Sequence, residues 1–146
     1  MEVTEDSIGL TSEPYTFVVE SRHVMQFQQA IGDHNPLYTD ESYAEESPYK
    51  GAIVPPTFPV AMNHGDIKMP LELDQRRMLH GEQEFIYHVP IRIGDTLHCQ
   101  MKVADIYEKE GKSGKMQFII LDTEMSQADG TLACVSRMNI IYRPAA

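Results

Sequence analysis

From His80 almost to its end the chain alternates with a period of two, and this limits its fold more than any other feature. In GEQEFIYHV the set Gln83, Phe85, Tyr87 and Val89 interleaves with Glu82, Glu84, Ile86 and His88. That period sends the two sets to opposite faces of a strand. Three more runs follow, TLHCQMKVADIYEKE, MQFIILDTEMSQ and TLACVSRMNIIYRP, set apart by glycine turns at RIGD, GKSGK and ADG. Connections this short join antiparallel neighbours, because a parallel crossover needs a dozen residues or more. The sequence therefore predicts an antiparallel sheet containing 80–89, 96–109, 115–127 and 131–143.

The first half reads differently. PYTFVVE (14–20) is rich in β-branched and aromatic residues and predicts a strand. Ser21 then offers a helix N-cap, and Val24, Phe27, Gln28 and Ile31 recur at helical spacing up to a C-cap glycine, Gly32. GDHNPLYTD is loop vocabulary, and Asp40 is placed to cap a short helix through ESYAEE. Pro55 and Pro56 suit the first turn of a helix, where amide donors are spare. Thr57 through Asp66 is then expected to be that helix, buried because Phe58, Val60, Ala61 and Met62 are largely apolar. One strand, helices and four long antiparallel strands make an α+β plan, with one sheet face covering an apolar helix. At 146 residues, with no internal repeat, the expectation is a single domain, 1–146.

Lys and Arg total 12 against 22 Asp and Glu, a formal net charge of −10. Such a balance repels phosphate backbones and anionic lipid, which argues against nucleic acid and membrane surfaces as partners. No apolar run approaches the roughly 18 residues of a membrane span, and acidic MEVTEDSIGL lacks the features of a signal peptide. The expected location is cytoplasmic. Cations that could meet a phosphate group are local: Arg76 with Arg77, Lys50 and Lys68, each also an ordinary solvated side chain. Cys99 and Cys134 are far apart in apolar strands and read as buried thiols. The six histidines show no metal-ligand spacing, so no metal and no cofactor is expected.

The stretch AIGDHNPLYTDESYA (30–44) resembles the signature of the MaoC-like (R)-specific enoyl-thioester hydratases and dehydratases, Gly-Asp-x-Asn-Pro-Leu-His-x-Asp. Gly32, Asp33, Asn35, Pro36, Leu37 and Asp40 match, and Tyr38 stands where the signature has histidine. The resemblance continues through YKGAIVPPTF (49–58) and LHGEQEFIYHVPIRIGDTL (79–97), and is nearest to the N-terminal dehydratase-type branch. It implies the hot-dog fold, a long antiparallel sheet wrapped around a central helix. It also implies an acyl-CoA or acyl-carrier-protein thioester substrate, and a homodimer or a heterodimer with a catalytic hot-dog subunit.

Hydration of an enoyl thioester needs a water deprotonated as it attacks C3 and a proton delivered to C2. In the family an Asp–His pair shares the task, and the resemblance assigns Asp33, Asn35 and Tyr38 to the catalytic positions. Histidine titrates near neutrality, whereas tyrosine, with a pKa of about 10, donates well and is a poor base. His34 is not expected to fill the vacancy, because adjacent side chains in an extended loop point apart. The thioester carbonyl needs amide donors, for which Pro56, Thr57 and Phe58 are the candidate segment, the prolines supplying none. His80 is a candidate at the substrate channel or a strand-end histidine. The resulting reading is a degenerate hydratase or dehydratase subunit acting with a homologous partner. A self-sufficient homodimeric hydratase or acyl-CoA thioesterase using Asp33 or Asp66, and a non-catalytic acyl-thioester-binding protein, stay open beside it.

Overall fold

The computed structural model describes residues 3–62, 68–112 and 114–145. Its frame is one five-stranded antiparallel sheet: β1 (Tyr15–Val18), β2 (Met78–Tyr87), β3 (Thr96–Gly111), β4 (Gly114–Ser126) and β5 (Leu132–Tyr142). The spatial order is β1-β3-β4-β5-β2. The four long strands thus fall within a few residues of where the alternation puts them. β1 occupies one edge against β3, with Tyr15 opposite Cys99, and β2 occupies the other against β5.

The two faces differ. Leu97, Cys99, Ile119, Leu121, Met125 and Ile140 are buried on the core face. Opposite them, Arg137 of β5 donates two parallel hydrogen bonds to its cross-strand neighbour Asp122, at 2.8 and 2.9 Å. Tyr107 and Phe118, also cross-strand neighbours, stack at 5.0 Å. The ladder between β2 and β5 slips between His80 and Glu82, where Gly81 is the extra residue. A Cβ on Gly81 would lie 2.9 Å from Ile141 Cδ1 and 3.3 Å from the Asn139 carbonyl oxygen, so a side chain at the bulge would force Ile141 to shift.

Helix α1 (Ser21–Ile31) buries Val24 and Gln28, one turn apart on one face. Its N-cap is Glu20, in extended backbone, and Ser21 is already helical, one residue off the expectation. Gly32 ends it in the left-handed conformation at φ 72°, as a C-cap glycine does. Asp40 caps α2 (Glu41–Glu45) by accepting the Tyr43 amide at 3.1 Å.

The helix expected from Thr57 through Asp66 is a correction. A 3-10 turn, Phe58–Ala61, stands in its place, and Asp66 lies outside the described residues. The bonds are of the tighter three-residue type: Phe58 N–H to Pro55 O, Val60 N–H to Thr57 O and Met62 N–H to Pro59 O. The cause is in the sequence. Pro55, Pro56 and Pro59 have no amide to donate, and Thr57 makes no side-chain cap. The segment is nonetheless core, since Val54, Phe58 and Met62 are at most 3% exposed. Phe58 meets Phe17, His23 and Phe27 edge-on, with ring centroids 5.2–6.3 Å apart. One ring therefore joins β1, α1 and the turn above the sheet.

Phe58→Ala is expected to lower unfolding free energy by about 3–5 kcal/mol, the usual cost of removing a large buried ring. Urea denaturation measures it, and a loss under about 1 kcal/mol would show that the cluster is not the keystone.

Candidate active site

The motif loop begins at the capped end of α1 and is built from hydrogen bonds its own residues supply. Gln28, buried on α1, donates its side-chain amide to the Asp33 carbonyl at 3.0 Å and to the Asn35 carbonyl at 3.4 Å. Asp33 Oδ1 accepts the Asn35 amide at 3.1 Å, and Asn35 Oδ1 accepts the Leu37 amide at 3.0 Å. The second bond caps the 3-10 turn Pro36–Tyr38. Two successive Asx turns thus fold the segment tightly enough to send Tyr38 inward.

Tyr38 is 6% exposed and packs in the core cluster of α1, the turn and the sheet. Its phenol pKa is raised, first by burial, then by the Asp33 charge and a hydrogen bond to that carboxylate, then by Tyr49. Burial likewise pushes Tyr87 up, with smaller contributions from Cys134 and Tyr38. The Tyr87 hydroxyl donates to the Pro56 carbonyl at 2.8 Å. Tyr49, Ile53, Pro56, Tyr87 and Pro90 line a cleft of about 250 Å³. Tyr38, with Asp33 beside it, is near enough to the Tyr49 and Tyr87 phenols of this cleft to interact electrostatically with both.

The predicted site residues divide. Asp33 and Tyr38 pair with each other and Pro56 lines the cleft, while Asn35 is exposed and spends its amide oxygen on the cap. Thr57 is exposed at the start of the turn, and its amide has no partner among the described residues. The Phe58 amide is committed to Pro55 O at 2.9 Å and its ring is wholly buried, so Phe58 serves the core and is no open donor. His34 is exposed in a different depression, beside Met25, Gln29 and Thr39. His80 lines a second cleft, described below. Sequence reasoning missed Tyr49 and Tyr87 as site residues. Tyr87 was visible only as one member of an alternating strand, and nothing local marks Tyr49. Among the described residues no group of three His, Cys, Asp or Glu is placed to hold a metal ion. Burial raises Cys99 to about 12 and Cys134 to about 11, so neither thiol is a nucleophile at neutral pH.

The antiparallel sheet, the short helices on its core face and the Asx-turn loop define a hot-dog fold. The chain belongs to the family described as "FAS1-like, dehydratase domain region", whose model it matches over residues 6–135. Among individual proteins it is similar to a UPF0336 protein of Thermobifida fusca (strain YX), 30% identical over 98% of this chain and 95% of the relative. Solved structures share the fold, two of them over nearly the whole of both chains. The MaoC-like dehydratase from Rhodospirillum rubrum is 20% identical with a TM-score of 0.72, covering 100% of both chains. A chain of the HadBC (3R-hydroxyacyl-ACP dehydratase) complex from Mycobacterium tuberculosis is 18% identical with a TM-score of 0.76, covering 95% of this chain and 99% of that one.

The raised phenols set a direction for alkaline stability. Tyr15 is pushed up to about 12, mainly by burial, and Tyr38 and Tyr87 rise as well. In the unfolded chain these groups lose their protons near pH 10, while the folded chain holds them. Folding stability is therefore fully present below about pH 10 and falls as pH rises from there toward 12. Tyrosinate absorbance during an alkaline titration should show Tyr15, Tyr38 and Tyr87 ionising with unfolding. Tyr15→Phe should reduce the steepness of the stability loss.

Proposed function

We propose that this chain is a subunit of an (R)-specific enoyl-thioester hydratase or 3-hydroxyacyl-thioester dehydratase, degenerate in its own catalysis and completed by a homologous partner. The observation that carries the reading is Tyr38, buried against Asp33 at the one motif position where the resemblance has histidine. A phenol whose pKa is raised stays protonated at neutral pH. It holds the Asp33 carboxylate and does not take a proton from water. Asp33 retains a free carboxylate valence for orienting a water, and the Thr57 amide is available to a thioester carbonyl. The pair lacks a group that cycles a proton between C3-bound water and C2, a role worth roughly 10²–10⁴ in rate.

The partner is supported by the sheet. β2 runs ten residues along one edge and pairs only with β5 among the described residues, a length of edge that monomers seldom leave open. Leu79 and Tyr87 are exposed large side chains on that same strand. The HadBC chain that shares the fold belongs to a complex. Edge-to-edge joining of two such sheets, with a second copy or a homologous subunit, is the assembly this reading requires.

Purified alone, the chain is expected to hydrate crotonyl-CoA very slowly, and faster when mixed with a hot-dog subunit that carries the histidine. Tyr38→His should raise the rate of the isolated chain by up to about 10²-fold, because a histidine, unlike a tyrosine, can take and return a proton near neutral pH. Asp33→Asn keeps the Asx turn and should abolish that gain. Strong wild-type activity that survives Asp33→Asn would move the chemistry elsewhere and favour a self-sufficient enzyme. Light scattering at micromolar concentration should report a dimer, and a monomer there would count against the edge-paired assembly.

A further inference from the structure

The 3-10 turn Phe58–Ala61 and its C-cap Met62 border a second cleft of about 210 Å³ over the core face of the sheet. Four methionines, Met62, Met101, Met125 and Met138, line it. Unbranched thioether side chains adapt their shape to a flexible apolar guest. The cleft is not purely apolar, however. His80 and Gln83 of β2, Thr123 of β4 and Ser136 of β5 also face into it.

The polar groups are ordered. The Gln83 amide nitrogen donates to Ser136 Oγ at 2.8 Å and to the Arg137 carbonyl at 3.2 Å, which fixes the amide and leaves its oxygen as an acceptor. Among the described residues that oxygen, the Thr123 hydroxyl and the His80 imidazole make no hydrogen bond. A plain hydrocarbon filling the space would take these groups from water and return nothing. A guest carrying a hydroxyl or carbonyl would donate to the Gln83 oxygen or accept from Thr123 and His80. Gln83 lies four residues along β2 from Tyr87, or roughly 13 Å at about 3.3 Å per residue, so the two clefts are stations on one strand.

We propose that this second cleft binds an oxygen-bearing distal end of the acyl chain whose thioester end lies at the Tyr87 cleft. The inference rests on the acyl-thioester reading above and adds the class of acyl group: medium in length and oxygenated away from the thioester. Gln83 and Thr123 are the residues that read the oxygen, with His80 beside them, and the methionines hold the methylenes between.

Calorimetric titration of the protein with two probes, dodecanoyl-CoA and ω-hydroxydodecanoyl-CoA, tests it as a mutant cycle. Gln83→Leu with Thr123→Val should weaken the hydroxylated probe by about tenfold and leave the plain probe unchanged or tighter. His80→Leu, on an exposed strand position, should shift the same ratio in the same direction by a smaller factor and serves if the double variant does not fold. Equal weakening of both probes, or no change in their ratio, overturns the oxygen-reading cleft while leaving the acyl-thioester reading standing. Failure of the wild-type protein to bind either probe overturns both.

Discussion

The architecture hangs on the burial of Phe58. The four long strands can close their ladders with one another, but a sheet with one apolar face is stable only when that face is covered. Here the cover is thin: an eleven-residue helix that buries two residues, and a proline-rich segment too short of donors to be an α-helix. Neither would stay down alone. Phe58 makes them one lid, because its ring meets Phe17 of β1 and both His23 and Phe27 of α1. The same contact sets the geometry of the candidate site, since the helix that it anchors ends at Gly32 and hands the chain directly to the Asp33 loop.

Much of this was legible in the sequence, for identifiable reasons. Strand alternation and glycine turns are local signals, so β2 to β5 were readable to within a few residues. The cap glycine Gly32 and the capping Asp40 were readable too, because each acts on backbone only a few residues away. The Pro55–Met62 segment misled because apolar composition reports burial and not helicity. Three prolines among the first five positions tipped the balance toward three-residue bonds. In the site, Asp33 and Tyr38 were readable from the motif, whereas Tyr49 and Tyr87 come from distant parts of the chain and meet only through tertiary packing. The Phe58 amide was misread for a simpler reason. Its acceptor, Pro55 O, exists only once the turn has formed.

The motif loop also shows how chemistry and scaffold separate in this fold. Asp33 and Asn35 hold successive backbone amides, Asp40 caps the next helix, and Gln28 ties the loop to α1. None of these bonds involves the side chain at position 38. The conformation is over-determined by its neighbours, so exchange of a histidine for a tyrosine leaves the loop intact. What the exchange alters is proton affinity and the company Asp33 keeps. A fold can thus keep the outline of a site while the chemistry at one of its positions varies.

The bulge at Gly81 has a further consequence. In an unbroken strand, residues three apart point to opposite sides, so His80 would face outward whenever Gln83 faced the core. The extra residue acts as a half-period phase shift: His80 lies opposite Ile140 and Gln83 opposite Met138, both on the core side. Two polar side chains of opposite parity are thereby brought into phase, and the switch sits at a position where a Cβ would strike Ile141. Straightening the strand with every residue kept would pair Gly81 with Ile140 and undo the shift, turning the imidazole to the outer face of the sheet and Leu79 to the core face.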